Sequence, residues 1–223
     1  MESKHKTVTI GLWAVLLLAM AGVLIGAIFR PKRAAARPEQ TDAAVSWASD
    51  RQQGEALHTL FPAPDLTLTD QDGKTFSTRD LRGRPWVADF IFTSCAGSCP
   101  VMSHKMAEVQ KNTPPDVRLV SFTVDPTHDT PAILKQYGEA LKADPARWRF
   151  LTGTAQQMAD AAYAMKISVK PAGNDTPLLH SNKFLLVDRN GNVVGIYDGT
   201  SADDVRRLTA DAISLARAEG SAL

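Results

Sequence analysis

The stretch Trp86–Met106, WVADFIFTSCAGSCPVMSHKM, constrains the fold of this chain more than any other. Its first residues, Trp86 to Phe92, are apolar apart from Asp89. A short aromatic and aliphatic run of this kind predicts a strand buried on both faces of a sheet. The pattern breaks at Thr93-Ser94-Cys95-Ala96-Gly97-Ser98-Cys99-Pro100, which holds the only two cysteines of the chain. Pro100 suits a first helical turn, and Met102, Met106 and Val109 follow at helical spacing, which predicts a helix to about Lys111. Both thiols therefore sit where a buried strand ends and a helix begins.

That position has chemical consequences. The N–H groups at a helix start carry partial positive charge and favour a thiolate, the form that attacks disulfides and binds soft metals. Three intervening residues with Gly97 in the middle let both sulfurs turn toward one point. They can form a disulfide or share one metal ion. A disulfide that only staples the loop is the blander option, and closing so short a loop stabilises little. Two cysteines in one motif, and none elsewhere, suggest function rather than a disulfide framework.

The rest of the chain supplies a setting for the pair. Val8–Phe29 contains 22 residues without a charge. At about 1.5 Å per residue this spans a hydrocarbon core of about 30 Å. The run is longer than a signal-peptide core and ends in Phe-Arg-Pro-Lys-Arg, so it reads as an uncleaved anchor. Residues 1–7 precede the anchor, residues 8–29 form it, residues 30–58 read as a tether, and residues 59–223 as the folded domain. Lys and Arg are more numerous after the span than before it, which by the positive-inside rule argues for a cytoplasmic domain. The chain carries 25 basic and 24 acidic side chains. That balance provides no electrostatic case for a nucleic-acid partner.

Within the domain, Leu66-Thr67-Leu68 alternates, and Asp72-Gly73 signals a hairpin turn before Lys74-Thr75-Phe76. Val117–Val124 reads as a second buried strand and Ala132–Lys142 as a helix. Trp148–Leu151 is a short strand, and Thr154–Lys166 a helix with Met158, Ala162 and Met165 on its core face. Phe184–Val187 and Val193–Tyr197 flank Asn190-Gly191 as a hairpin. Ser201 and Asp204 make a cap for a last helix lined by Val205, Leu208, Ala212 and Leu215. This order suits an α/β domain with a central mixed sheet covered by helices. With a cysteine pair at the first strand–helix junction, it looks like a thioredoxin fold.

Three segments carry a more specific likeness: ADFIFTSCAGSCPVMSHKM, SFTVDPTHDTPAILKQY and LLHSNKFLLVDRNGNVVGIYDG. In this order the chain resembles the Sco (SenC) family, the copper-binding thioredoxin-like proteins of cytochrome c oxidase assembly. Ala96-Gly97 stand where many members carry Pro-Asp. The resemblance implies copper coordination by Cys95, Cys99 and His180. It also implies a copper-receiving subunit of a cytochrome c oxidase as partner, and anchoring by residues 8–29 with the domain outside the cytoplasm; an Arg- and Ser-rich transit peptide is not evident, which favours a bacterial inner membrane with the domain in the periplasm. On location it is preferred to the count of flanking charges. Two thiolates and an imidazole are a ligand set suited to copper.

Other polar residues have weaker claims. Asp89 is a carboxylate in an apolar strand, which is costly unless paired or protonated; it could handle protons for the thiols or bond a neighbouring loop. Asp125 and Asp129 are candidates with helix capping as the plain alternative. His58, His104 and His128 have solvated surface roles as their default, with His128 in reserve as a ligand. Three function classes follow: a copper chaperone, a thiol–disulfide oxidoreductase acting through Cys95 and Cys99, and a redox sensor.

Overall fold

The structure is a computed structural model that describes residues 57–95, 99–167 and 181–218. Eight strands form one sheet: β1 Phe61–Pro62, β2 Thr67–Asp70, β3 Thr75–Ser77, β4 Trp86–Ile91, β5 Arg118–Thr123, β6 Trp148–Thr152, β7 Lys183–Val187 and β8 Asn192–Asp198. Among the described residues four α-helices accompany them: α1 Cys99–Asn112, α2 Pro131–Ala140, α3 Ala155–Ala164 and α4 Ala202–Arg217. The strand order is β1-β8-β7-β4-β5-β6-β2-β3. β4, β5 and β6 are parallel, and every other pairing is antiparallel. This is the mixed α/β sheet expected from the order of elements.

Alternation along β4 divides the interior in two. Val87 and Ile91 join Met102, Met106 and Val109 of α1, Leu134 of α2 and Leu208 of α4 in one core. Trp86, Ala88 and Phe90 face the other way, toward Met158, Ala161 and Ala162 of α3. Asp89 shares the parity of Val87 and Ile91, so its carboxylate projects into the α1 side. All six residues of β4 are buried, as a strand covered by helices on both faces requires.

Local chemistry explains most boundaries. Gly73 and Gly191 have φ of 74° and 84° at the two hairpin turns, a region that glycine enters without steric cost. Asp188 Oδ1 accepts hydrogen bonds from the amides of Asn190 and Asn192, so the second turn is longer than the Asn-Gly pair alone. Thr154 and Gln157 form a reciprocal capping box at α3, and Ser201 caps α4 by accepting from Asp204 N. α2 and α3 end earlier than periodicity predicts. Lys142 and Lys166 adopt left-handed backbone, with φ of 56° and 59°, and close the helices before them. Gly138 brings α2 against β6: a Cβ there would lie 2.8 Å from Phe150 Cε2. Met158 of α3 and Met165, which follows its last residue, are core side chains, as expected: both are buried.

Among the described residues no helix is long and apolar enough to cross a membrane. The expected anchor, residues 8–29, and nearly all of the tether lie outside the described residues.

Candidate metal centre

β4 and β5 run side by side with Ile91 opposite Thr123. The segments that leave them, Phe92–Cys95 and Val124–Thr130, therefore meet at one end of the sheet. Cys95 N donates to Phe92 O at 3.3 Å, which turns the chain back after the strand. Cys99 is the first residue of α1 and Pro100 its second. No disulfide joins Cys95 and Cys99. Cys95 is partly exposed, whereas Cys99 is only 1% exposed. One cysteine of the pair is thus open to the surface in part and the other is closed off from it.

Burial reverses the expectation of a low thiol pKa at the helix start. Desolvation pushes the Cys99 thiol up to about 12. A backbone hydrogen bond from Phe92 opposes the shift, while the adjoining Cys95 and the charge of Asp89 reinforce it. The partial charge of a helix end is worth about 1 kcal/mol and loses to transfer of a thiolate out of water. Cys99 therefore keeps its proton until a cation or an attacking sulfur displaces it.

Beneath the thiols lies a polar group that sequence reasoning found only in part. Asp89 is fully buried, and neither of its oxygens makes a hydrogen bond among the described residues. Burial pushes its carboxyl up to about 7. Ser121, its partner across β5, lies near enough to favour the charged form somewhat, but the Ser121 hydroxyl accepts from Trp148 Nε1 at 2.9 Å. On α2, Tyr137 shares a 2.7 Å hydrogen bond with Ser103 of α1. Burial pushes the Tyr137 phenol up to about 12, and the nearby Asp89, Cys99 and Cys95 add to the shift against the Ser103 bond. Asp89, Ser121, Trp148, Ser103 and Tyr137 come from five elements, and no single motif announces them.

Asp129 is the second finding. It does not cap α2; Thr130 does, accepting from Ile133 N. Asp129 is instead fully buried and ties the two loops together. It accepts from Thr93 N at 3.1 Å, Thr93 Oγ1 at 2.5 Å and Thr123 Oγ1 at 2.6 Å. His128 Nδ1 lies 3.1 Å from its Oδ1. Thr93 is two residues before Cys95, so this carboxylate sets where the cysteine loop leaves the sheet. Asp125 contributes backbone only: its carbonyl accepts from His128 N and Asp129 N. His58 and His104 are exposed, in keeping with their default surface roles.

The described residues bring together Cys95 and Cys99 but show no group of three or more His, Cys, Asp or Glu side chains at one point. His180 lies outside the described residues, as do Ala96-Gly97-Ser98. Two sulfurs, from one partly exposed and one buried cysteine, are a donor pair suited to a soft cation such as Cu(I).

Comparison with known proteins places this geometry among relatives. The SCO1/SenC family model matches residues 58–216. The chain is 39% identical over 155 residues to the SCO1 protein homolog of Bacillus subtilis (strain 168), covering 65% of this chain and 79% of that protein. The structure resembles that of BsSco, a member of the Sco family of cytochrome c oxidase assembly proteins, with a TM-score of 0.65 and 32% identity over 75% of this chain and 99% of that one. It also resembles Bradyrhizobium japonicum ScoI with copper bound, with a TM-score of 0.60 and 26% identity over 69% of this chain and 99% of that one.

Proposed function

The chain belongs to the SCO1/SenC family, and from that premise we propose that it is a membrane-anchored copper chaperone for a cytochrome c oxidase. Cys95, Cys99 and His180 hold the ion. Residues 8–29 anchor the chain in a bacterial inner membrane, with the domain in the periplasm. The observation that carries the reading is the thiol pair at the end of β4, one cysteine partly exposed and the other 1% exposed. Such a pair accepts an ion from the surface and holds it away from water.

Loading exchanges protons for metal. Each thiol loses a proton as its sulfur bonds the ion, so affinity rises with pH. The raised pKa of Cys99 makes that step costly without a cation and favours a protonated apo form. Release to a receiving subunit is the reverse: the Cys99 sulfur regains its proton, which helps the ion to leave.

Copper titration of the reduced protein tests the proposal. One ion per chain is expected. Cys95→Ser and Cys99→Ser should each remove tight binding with the fold intact; full affinity in either variant refutes the site. His180→Ala should lose most stable Cu(II) binding and keep appreciable Cu(I) binding, because Cu(I) tolerates two sulfur donors. A C-terminal reporter active only outside the cytoplasm tests the location. A cytoplasmic signal would refute the periplasmic placement and agree with the flanking charges instead.

A second reading, thiol–disulfide exchange, is favoured by the unequal exposure of the thiols. Cys95 as thiolate would attack a partner disulfide, and Cys99 would resolve the mixed disulfide and release the partner's dithiol. That chemistry needs no imidazole. Normal oxidase copper content in a His180→Ala strain at limiting copper would select this reading.

A further inference from the structure

We propose that His128 is a second copper-handling residue, a capture ligand that takes the ion at the surface and passes it to Cys95. This inference deepens the chaperone reading and rests on it. His128 is on the loop after β5, Cys95 on the loop after β4, and those strands are parallel neighbours. One oxygen joins the loops: Asp129 Oδ1 lies 2.5 Å from Thr93 Oγ1 and 3.1 Å from His128 Nδ1. The imidazole thus stands one carboxylate oxygen away from a residue that is itself two positions from Cys95.

The orientation of the ring is what makes it a ligand. Asp129 also receives Thr93 N and Thr123 Oγ1, so its two oxygens are filled by donors without the imidazole. The carboxylate gains little from His128, whereas His128 gains a fixed direction from the carboxylate. An acceptor at Nδ1 selects the tautomer with the proton on Nδ1 and leaves the Nε2 lone pair for a metal. The His128 side chain is 53% exposed while that of Asp129 is 0% exposed. A buried carboxylate behind a solvent-facing imidazole is the arrangement that orients histidine ligands in metal sites.

The transfer is a ligand exchange with no change in oxidation state. The ion binds Nε2 of His128 from solution. The Cys95 sulfur then forms a bond to it as its thiol proton leaves to water, and the bond to Nε2 breaks as the Cys99 sulfur, its own thiol proton also passing to water, takes the place of the imidazole. Because His128 is absent from the resting site, it changes rates in both directions by one factor and leaves the affinity alone.

The experiment mixes the reduced full-length chain with substoichiometric Cu(II) held by a weak chelator. It follows growth of the sulfur-to-copper charge-transfer band, then release to a stronger chelator. His128→Ala is expected to slow loading and release alike, on the order of tenfold. Final stoichiometry and the paramagnetic spectrum of the loaded form should match the parent, and added imidazole should restore the rate. His58→Ala and His104→Ala should load at the parental rate. Unchanged loading in His128→Ala overturns the inference and leaves the chaperone reading standing. A changed spectrum or lost stoichiometry also overturns it, by placing His128 in the resting site. Failure of the parent chain to bind copper overturns the chaperone reading itself, and this inference with it. Thermal unfolding of His128→Ala beside the parent separates a rate effect from a loss of fold.

Discussion

Replacing Asp89 by Asn should change how the stability of this protein depends on pH. Asp89 is fully buried, and its carboxyl is raised from 3.8 to about 7 by burial. Well below pH 3.8 the group is protonated in both folded and unfolded chains and costs nothing by ionisation. As pH rises from there, the unfolded chain releases the proton while the fold retains it, so stability falls. The loss levels off once pH passes the folded value near 7. A shift of about three units at about 1.4 kcal/mol each amounts to about 4 kcal/mol across the window. Asn carries no such titration. Its amide does add N–H donors to a site where the parent's oxygens already lack partners, at about 1–3 kcal/mol, so the variant should be less stable than the parent at pH 4. By pH 8 the order should reverse. Asp65, Asp72 and Asp198 have lowered values and act in the opposite sense at more acidic pH; both proteins share them, so they cancel in the comparison. Urea unfolding from pH 4 to 8, followed by tryptophan fluorescence, measures the difference. Parallel stability curves over that range would refute the reasoning and show that Asp89 is already ionised in the fold at acidic pH.

Two further outcomes follow from packing. Iodoacetamide at pH 8 should modify Cys95 first and Cys99 at least roughly tenfold more slowly, since the Cys99 thiol is both buried and raised to about 12. Peptide mass spectrometry reads this directly, and equal rates would contradict the burial argument. Gly138→Ala should destabilise the protein, although the same change on an open helix gains about 1 kcal/mol. Here the new methyl would meet the Phe150 ring at 2.8 Å, an overpacking worth about 1–3 kcal/mol. A raised melting temperature would show that Phe150 can move aside at no cost.

Several features of this protein were determined by the sequence alone, because they depend on properties a segment carries with it. An apolar run as short as Trp86–Phe92 can satisfy its side chains only between two layers, and β4 is buried at all six positions. The turns at Gly73 and Gly191 follow from the one residue that takes positive φ freely. The buried carboxylate at Asp89 was visible as a charge out of place in such a run. The cysteine pair was equally plain, together with its position at a strand–helix junction.

Tertiary structure decided what those groups can do. β1 is two residues long, and Phe61 and Pro62 become a strand only because β8 offers Val193 and Asn192 as partners. Lys142 and Lys166 end their helices in a conformation that side-chain periodicity does not encode. The helix start at Cys99 promised an acidic thiol, and packing of α1 against the sheet gave a buried, weakly acidic one instead. Asp129 looked like a cap in its own loop. Its role as a hub depends on Thr93, 36 residues earlier, which no local pattern links to it. A residue type and its spacing specify which donors and acids exist. Whether water, a carboxylate or an apolar wall stands beside them is set by segments distant in the chain, and that surrounding medium fixes their protonation and reach.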